Sequence, residues 1–242
     1  MSIAIGGLVA CSDSDDPVAV SADSRVSGTP ADANDTAAAI SIAGRAAVLI
    51  VEDNWNDLIY QFGRLGFQTL QVPCANASGG GGSFNYQATD VDGNKVVSAG
   101  DTIRFDAADC QIGQGAPIYR GVKAISIDAV SGDLANAMNA SISASLMRYS
   151  IFDGFTTYRF GDVTFPSTLS SSDGVAWQGT MSGPINQSFD FSTDVGGGVA
   201  SYRLFDFKAS VLTARAAAPV ATVTDGLFEV TTPTRVINGS LR

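Results

Sequence analysis

The chain has 242 residues, with 24 acidic and 14 basic side chains, a formal net charge of −10 at pH 7 and 45% hydrophobic residues. This length and apolar content suffice for a core in one large β domain or two small ones, whereas the acidic balance argues against nucleic acid and against a polybasic grip on anionic lipid. Histidine is absent, which excludes Ser-His-Asp and Cys-His catalysis and histidine-ligated zinc or iron sites.

Residues 8–11 read Leu-Val-Ala-Cys and end a short apolar stretch. This pattern is typical of a bacterial lipoprotein processing site, at which Cys11 becomes the first mature residue and carries lipid. We therefore interpret residues 1–11 as the remnant of a signal peptide, although an incidental Leu-Val-Ala-Cys is the alternative. Because no Lys or Arg precedes Arg25, we expect the natural start to lie upstream. Ser12, rather than Asp, after the cysteine predicts sorting to the outer membrane.

Residues 12–35 are small, acidic and almost free of large apolar side chains. Such a segment cannot bury enough apolar surface to offset the entropy lost on ordering. We therefore predict a flexible tether between the lipid and a single β-rich domain of residues 36–242.

A helix is predicted next, because apolar side chains recur at three- and four-residue steps. The apolar face contains Val48, Val51, Trp55, Leu58, Ile59, Phe62 and Leu65, and the opposite side contains Glu52, Asp53, Asn54, Asn56 and Asp57. The alanine-rich stretch from Thr36 extends this helix upstream, and Gly63 or Gly66 ends it. We expect the helix to pack on a sheet, with partner binding as the alternative. We expect no apolar run after residue 11 to be long enough to span a bilayer.

From residue 82 onward the pattern is one of strands and turns. Strands are predicted over 83–89, 102–106, 118–130, 141–152, 156–165, 175–182, 188–191, 200–213 and 221–230, with Asp-Gly turn signals at 92–93, 153–154, 173–174 and 225–226. The sequence therefore predicts a mainly β fold, with one N-terminal helix packed on a large curved antiparallel sheet or a partly open barrel. Asn238-Gly239 is a hairpin signal with almost no second strand behind it, which indicates truncation or a partner strand from elsewhere in the sheet.

The cysteine count predicts a disulfide. Once Cys11 carries lipid, Cys74 and Cys110 remain as an even pair in an oxidising compartment. Two buried free thiols are the alternative.

Residues 90–101 have the ligand spacing of a twelve-residue calcium loop. Oxygen side chains stand at positions 1, 3, 5, 9 and 12, and a backbone carbonyl at position 7; these residues are Asp90, Asp92, Asn94, Ser98, Asp101 and, for the carbonyl, Val96. Lys95 replaces the usual Gly at position 6 and Asp101 the usual Glu, which predicts weak binding. A plain hairpin turn is the alternative to a Ca²⁺ site.

Residues 74–110 contain an ordered series of short motifs: Cys74, the glycines at 79–82, Asp-Val-Asp-Gly-Asn at 90–94, Ser-Ala-Gly-Asp-Thr at 98–102 and Cys110. This series resembles a pattern in uncharacterised proteobacterial lipoproteins. Many of those have Gly in place of Lys95 and continue further at the C-terminus. The resemblance implies an exported, lipid-anchored, mainly β protein and implies no activity.

Together these patterns predict an outer-membrane lipoprotein, facing the periplasm or the surface, with a non-enzymatic binding or scaffolding role. Its predicted partner is the membrane, reached through the lipid anchor, and a protein, glycan or lipid ligand is left open. One alternative is a carrier that holds a hydrophobic ligand inside a curved sheet. A second is a carbohydrate-active enzyme that uses paired carboxylates. A sugar-binding platform formed by Trp55, Trp177, Tyr158, Tyr202 and Phe205 is weaker, because strand aromatics are usually core residues.

Overall fold

The computed structural model describes residues 23–75, 81–111, 117–133, 137–195, 198–213 and 218–242. Within these ranges, one sheet of 13 strands packs against one long helix near the N-terminus. The predicted fold class, a mainly β protein with one N-terminal helix on a large sheet, is confirmed. Cys11 and the rest of the predicted signal-peptide remnant lie outside the described residues, as does the tether up to residue 22.

The strands are β1 (Thr29–Pro30), β2 (Thr69–Ala75), β3 (Gly81–Thr89), β4 (Thr102–Gln111), β5 (Ile118–Asp133), β6 (Ala137–Phe152), β7 (Thr157–Phe160), β8 (Val163–Ser171), β9 (Trp177–Ser182), β10 (Phe189–Val195), β11 (Gly198–Thr213), β12 (Val220–Thr231) and β13 (Val236–Ser240). Every strand range predicted from the sequence overlaps an observed strand. No prediction covered β1 or β2.

From β3 to β13 the strands form an antiparallel meander in which two long strands are interrupted. β7 and β8 pair with successive parts of β6, so they act as one strand interrupted at Gly161 and Asp162. β10 and β9 likewise pair with successive parts of β11, and residues 183–188 loop out between them. A ring of strands, β6, β8, β9, β11, β10 and β7, therefore closes within the sheet. Among the described residues no pairing joins β2 or β3 to β1 or β13, so the sheet remains open.

The helix begins as α1 (Ala33–Asn56), continues as a π-helix over Asp57–Phe62 and ends with the turn Gly63–Leu65. The Asp32 side chain accepts a hydrogen bond from the backbone N–H of Asp35, which caps the first turn. Gly66 follows with a φ of 64°, a left-handed conformation that favours glycine at a helix end. The predicted upstream extension and the predicted glycine end are both confirmed.

The sheet wraps around this helix. α1 contacts β8, β9, β11 and β12, and near the other edge of the sheet the Tyr86 hydroxyl of β3 donates to the carbonyl of Gly66 at 2.8 Å. The helix and sheet approach closely at Gly179 of β9, where a Cβ atom would lie 2.5 Å from Cγ1 of Val51. Small residues thus set the distance between helix and sheet.

A row of backbone irregularities crosses the sheet and bends it. The φ angle is positive at Asp109 in β4, Gly121 in β5, Arg148 in β6, Asp206 in β11 and Gly226 in β12. Register shifts accompany them in the β4–β5, β5–β6 and β11–β12 pairs. The two interrupted strands continue this row between β6 and β11. Because each bulge bends its strand, a row of bulges lets a sheet this wide fold around one helix.

The helix Ala33–Leu65 is long and apolar enough to cross a membrane by length and composition, contrary to the expectation from the sequence. In the fold, 50% of its most apolar window is buried within the protein. The expectation failed because the alanines upstream of Val48 extend the apolar stretch.

The two residues of the predicted C-terminal hairpin turn lie in a strand instead. Asn238 and Gly239 lie inside β13, which pairs antiparallel with β12 and parallel with β1. The Asn238 side chain donates to the carbonyls of Ser27 and Gly28 at 2.9 and 3.2 Å, which ties β13 to the chain just before β1. The partner strand thus comes from residues that the sequence assigned to the tether.

Cys74 in β2 and Cys110 in β4 form the predicted disulfide, with Cα atoms 5.5 Å apart. The bond lies at the edge of the sheet that is remote from β13. It closes a loop with a sequence separation of 36 residues.

Replacing both Cys74 and Cys110 by alanine should lower the free energy of unfolding by up to about 4 kcal/mol, because the unfolded chain regains the entropy that the closed loop removes. Urea unfolding of the oxidised wild type and of the double variant measures this difference. Reduced wild type is the matched control and should match the variant. Equal stability of oxidised and reduced protein would contradict the expectation.

Candidate functional site

Three charged side chains meet in the core, between the helix and the sheet. The Lys123 ammonium of β5 contacts Oδ2 of Asp53 and Oδ2 of Asp57. The hydroxyl of Tyr149 in β6 donates to the same oxygen of Asp53 at 2.7 Å. Asp53 and Asp57 are each 5% exposed, Lys123 1% and Tyr149 4%. We call these four residues the buried charge cluster.

The local sequence explains how the buried charge cluster assembles. Asp53 and Asp57 are four residues apart in the helix, so both carboxylates project from one face. Lys123 lies on the inward face of β5, in line with the buried side chains of Ile125 and Ile127. The rings of Phe105 and Tyr149 lie 5.9 and 6.0 Å from Nζ of Lys123, a separation suited to cation–π attraction.

Burial shifts the protonation of the buried charge cluster. It raises the pKa of Asp57 to about 8; the Lys123 charge opposes this rise and the Asp53 charge adds to it. For Lys123, burial acts against the charged amine, but the two carboxylates outweigh it, so its pKa is raised overall. The pKa of Tyr149 is raised well above its usual value, first by burial and then by Asp53 and Asp57. Burial thus favours the neutral form of the Asp57 acid, opposed by the Lys123 charge, and keeps Tyr149 a hydrogen-bond donor.

Two further features mark this part of the helix. Asn54 is 0% exposed, and neither atom of its side-chain amide has a hydrogen-bond partner among the described residues. The helix changes from α to π at Asp57, within the buried charge cluster. Unpaired buried amides and π-helical turns are both uncommon, and π-turns are frequent at functional sites.

The buried charge cluster is closed to substrates from solution, because its four side chains are almost fully buried. Its members can exchange protons with one another and can hold the helix in register with β5. Asp53, Asn54 and Asp57, which the sequence places opposite the apolar face of the helix, are therefore buried as well. The physical reason is that a lysine of the sheet supplies the counter-charge that permits burial.

Sequence reasoning missed Lys123, although a signal for it is present. In residues 122–128, Lys123 alternates in phase with Ile125 and Ile127, on the face that a half-buried strand turns toward the core. A lysine at such a position needs a buried acidic partner. The nearby helix has two acidic residues at a four-residue spacing, which fits that need.

The structure brings together part of the predicted calcium loop. Carboxylate oxygens of Asp90, Asp92 and Asp101 lie within 4.8 Å of one another. The Ser98 hydroxyl reaches Oδ2 of Asp92 at 3.0 Å and Oδ2 of Asp101 at 3.2 Å. Four of the six predicted ligand residues therefore share one small region.

The same carboxylates also accept hydrogen bonds from the loop backbone, as expected for the turn alternative. Asp90 accepts from the N–H groups of Gly93 and Lys95 at 2.7 and 2.8 Å. Asn94 donates from its side chain to Asp92 at 2.7 Å and accepts from the N–H of Val96 at 2.6 Å. Lys95 has a φ of 61°, so it adopts the left-handed conformation for which glycine is usual at this position.

Four of the five aromatic residues considered as a sugar platform belong to the core, and the fifth, Phe205, packs against the guanidinium groups of Arg25 and Arg203. Trp55 and Trp177 stack with centroids 5.3 Å apart, and both are buried. Tyr158, Tyr202 and Phe205 are buried as well. Their packing agrees with the core interpretation that the sequence favoured.

Comparison with known protein families, curated proteins and solved structures finds no match to this chain. The resemblance to proteobacterial lipoproteins therefore stays a prediction that rests on the motif between Cys74 and Cys110. Function is inferred from the residues and their geometry alone.

Replacing Lys123 by methionine should lower the free energy of unfolding by at least about 3 kcal/mol, because two buried carboxylates lose their cation. The matched control is Lys208→Met, since the side chain of Lys208 is 59% exposed and its contact with Asp225 is 4.0 Å long. Chemical denaturation of the two variants measures the difference. Equal effects of the two substitutions would contradict the role assigned to Lys123.

Saturating Ca²⁺ should raise the unfolding midpoint, and EDTA should lower it, because a ligand that binds only the folded state stabilises it by mass action. Asp92→Asn should abolish the shift, whereas Asp106→Asn, at an exposed position of β4, should leave it intact. Thermal unfolding with and without calcium measures both. A midpoint that does not respond to calcium would leave the loop a hydrogen-bonded turn.

Proposed function

We propose that this chain is a lipid-anchored protein of the bacterial envelope with a binding or scaffolding role rather than a catalytic one. The observation that carries the proposal is the pairing of Cys74 with Cys110. Such a bond persists in an oxidising compartment. Because the sequence has three cysteines, the pairing leaves Cys11 for the lipid.

The location of the helix supports a binding role over the two alternatives. A carrier of a hydrophobic ligand needs space on the concave face of the sheet, and α1 packs against that face from β8 to β12. A hydrolase with paired carboxylates needs them beside a cleft that admits water and sugar. Asp53 and Asp57, which share the Lys123 cation, are sealed inside the protein. The carboxylates of Asp90, Asp92 and Asp101 accept hydrogen bonds from backbone N–H groups of their own loop.

The outer face of the sheet offers a surface for a partner. The loop 183–188 projects from the middle of the sheet, and Ile185 in it is 83% exposed. Grooves of about 780 and 630 Å³ flank this loop and share Pro166, Pro184 and Ile185. These volumes lie within the range of about 300–1,000 Å³ that is typical of ligand pockets.

The anchor is tested on protein made from its own gene, with the upstream sequence intact, and purified from the membrane fraction. Mass spectrometry should find Cys11 as the N-terminal residue with acyl chains attached, and a peptide pair joined through Cys74 and Cys110. The matched control is Cys11→Ser, which should release an unacylated protein from the membrane.

An unacylated product in the cytosol, with Cys74 and Cys110 both free, would overturn the proposal. An acylated product with those thiols free would overturn the part of it that rests on the disulfide.

A further inference from the structure

The buried charge cluster places an amine against a carboxyl group in a dry part of the core. The Lys123 side chain and the Asp57 side chain are in direct contact. We propose that Lys123 and Asp57 condense into an amide, so that an isopeptide bond joins the helix to β5 within the folded chain. This inference does not depend on the proposed envelope function.

Asp57, rather than Asp53, is the acceptor of the new bond. Its Oδ2 atom has the Lys123 ammonium as its charge partner, whereas Oδ2 of Asp53 also accepts a hydrogen bond from Tyr149. Burial raises the pKa of Asp57, which favours the neutral acid that an amine can attack. The other carboxylate, Asp53, is held by the Tyr149 hydroxyl and also contacts Nζ, where it can serve as the proton carrier.

The surroundings favour condensation over hydrolysis. In water, a free amine and a free acid condense poorly, because water competes and the two groups seldom meet. Holding two groups in contact corresponds to effective molarities of about 10⁵–10⁸ M. Lys123 is 1% exposed, and the rings of Phe105 and Tyr149 lie near its Nζ. Exclusion of water therefore disfavours the reverse reaction, since hydrolysis of the amide needs a water molecule at this position.

The reaction balances without an oxidant or any other co-reactant. A proton moves from Nζ of Lys123 to the Asp57 carboxylate, which leaves a neutral amine beside a neutral acid. Nζ then attacks Cγ of Asp57, and the Asp53 carboxylate takes a proton from the nitrogen. Asp53 returns this proton to a hydroxyl on Cγ, the C–O bond breaks and one water molecule leaves. An ammonium and a carboxylate are thus converted to an amide and water, and Asp53 ends as it began.

The new bond would enclose the disulfide loop. Cys74 and Cys110 both lie between positions 57 and 123, so the two covalent links are nested in the sequence. The outer link would secure the π-helical end of the helix to β5. The inner link holds β2 against β4.

Intact-mass spectrometry of the folded wild type, reduced and denatured before measurement, tests the proposal. The expected mass is lower than the sequence mass by one water molecule. Trypsin should then release residues 46–64 joined to residues 121–148, because cleavage after Lys123 is blocked by the amide. Fragmentation should locate the link at Lys123 and Asp57.

Two variants separate the acceptor from the proton carrier. Asp57→Ala should restore the full mass because the electrophile is gone. Asp53→Asn keeps the shape and the acceptor but removes the base, so it should leave most of the protein uncondensed. Circular dichroism confirms folding, and the wild-type mass decides the proposal even if a variant does not fold.

A wild type of full mass, with separate peptides containing Lys123 and Asp57, would overturn the proposal. A link from Lys123 to Asp53, or to Asn54 with loss of ammonia, would overturn the choice of Asp57. Complete condensation in Asp53→Asn would overturn the role given to Asp53.

Discussion

The contact between Lys123 and the two helix carboxylates determines how the helix lies on the sheet. Removing a charge from water costs several kcal/mol, so a buried ammonium is tolerated only where its partners meet it directly. On the apolar side, Val51 packs at Gly179 and Trp55 stacks on Trp177. The charged contact adds a second constraint, because it forms only where Asp53 and Asp57 face β5. Polar groups that select one arrangement in this way are known from helical assemblies.

The contact between Lys123 and the helix also requires a curved sheet, because β5 and β12 must both lie against the same helix. Bulges bend strands, and those at Asp109, Gly121 and Arg148 stand side by side on β4, β5 and β6. Neighbouring bulges lie in close contact at Gly121, where a Cβ atom would lie 2.2 Å from the carbonyl oxygen of Arg148 on the next strand. The bend brings β5 and β12 to the same helix, so the location of the bulges and the location of the buried charges depend on each other.

Periodicity was sufficient to predict the helix and most strands, because both depend on local repeats of apolar residues. Periodicity could not predict the buried charge cluster, since Lys123 and Asp53 are 70 positions apart. Apolar periodicity also places acidic helix residues on the side opposite the apolar face. The positive φ at Arg148 has no local signal either, because arginine does not favour the left-handed conformation. Asn238-Gly239 has a strong local turn signal, but pairing of β13 with β12 and β1 holds these two residues in a strand.

The two-residue strand β1 has a consequence for crowding. A sheet edge with free N–H and C=O groups is a template on which other chains can add strands and aggregate. β1 covers part of the outer edge of β13. Pro30 in β1 lacks an N–H group, so it cannot donate a hydrogen bond to a further strand. The segment leading into the helix thus also shields part of the last strand from pairing with the sheet edge of another copy.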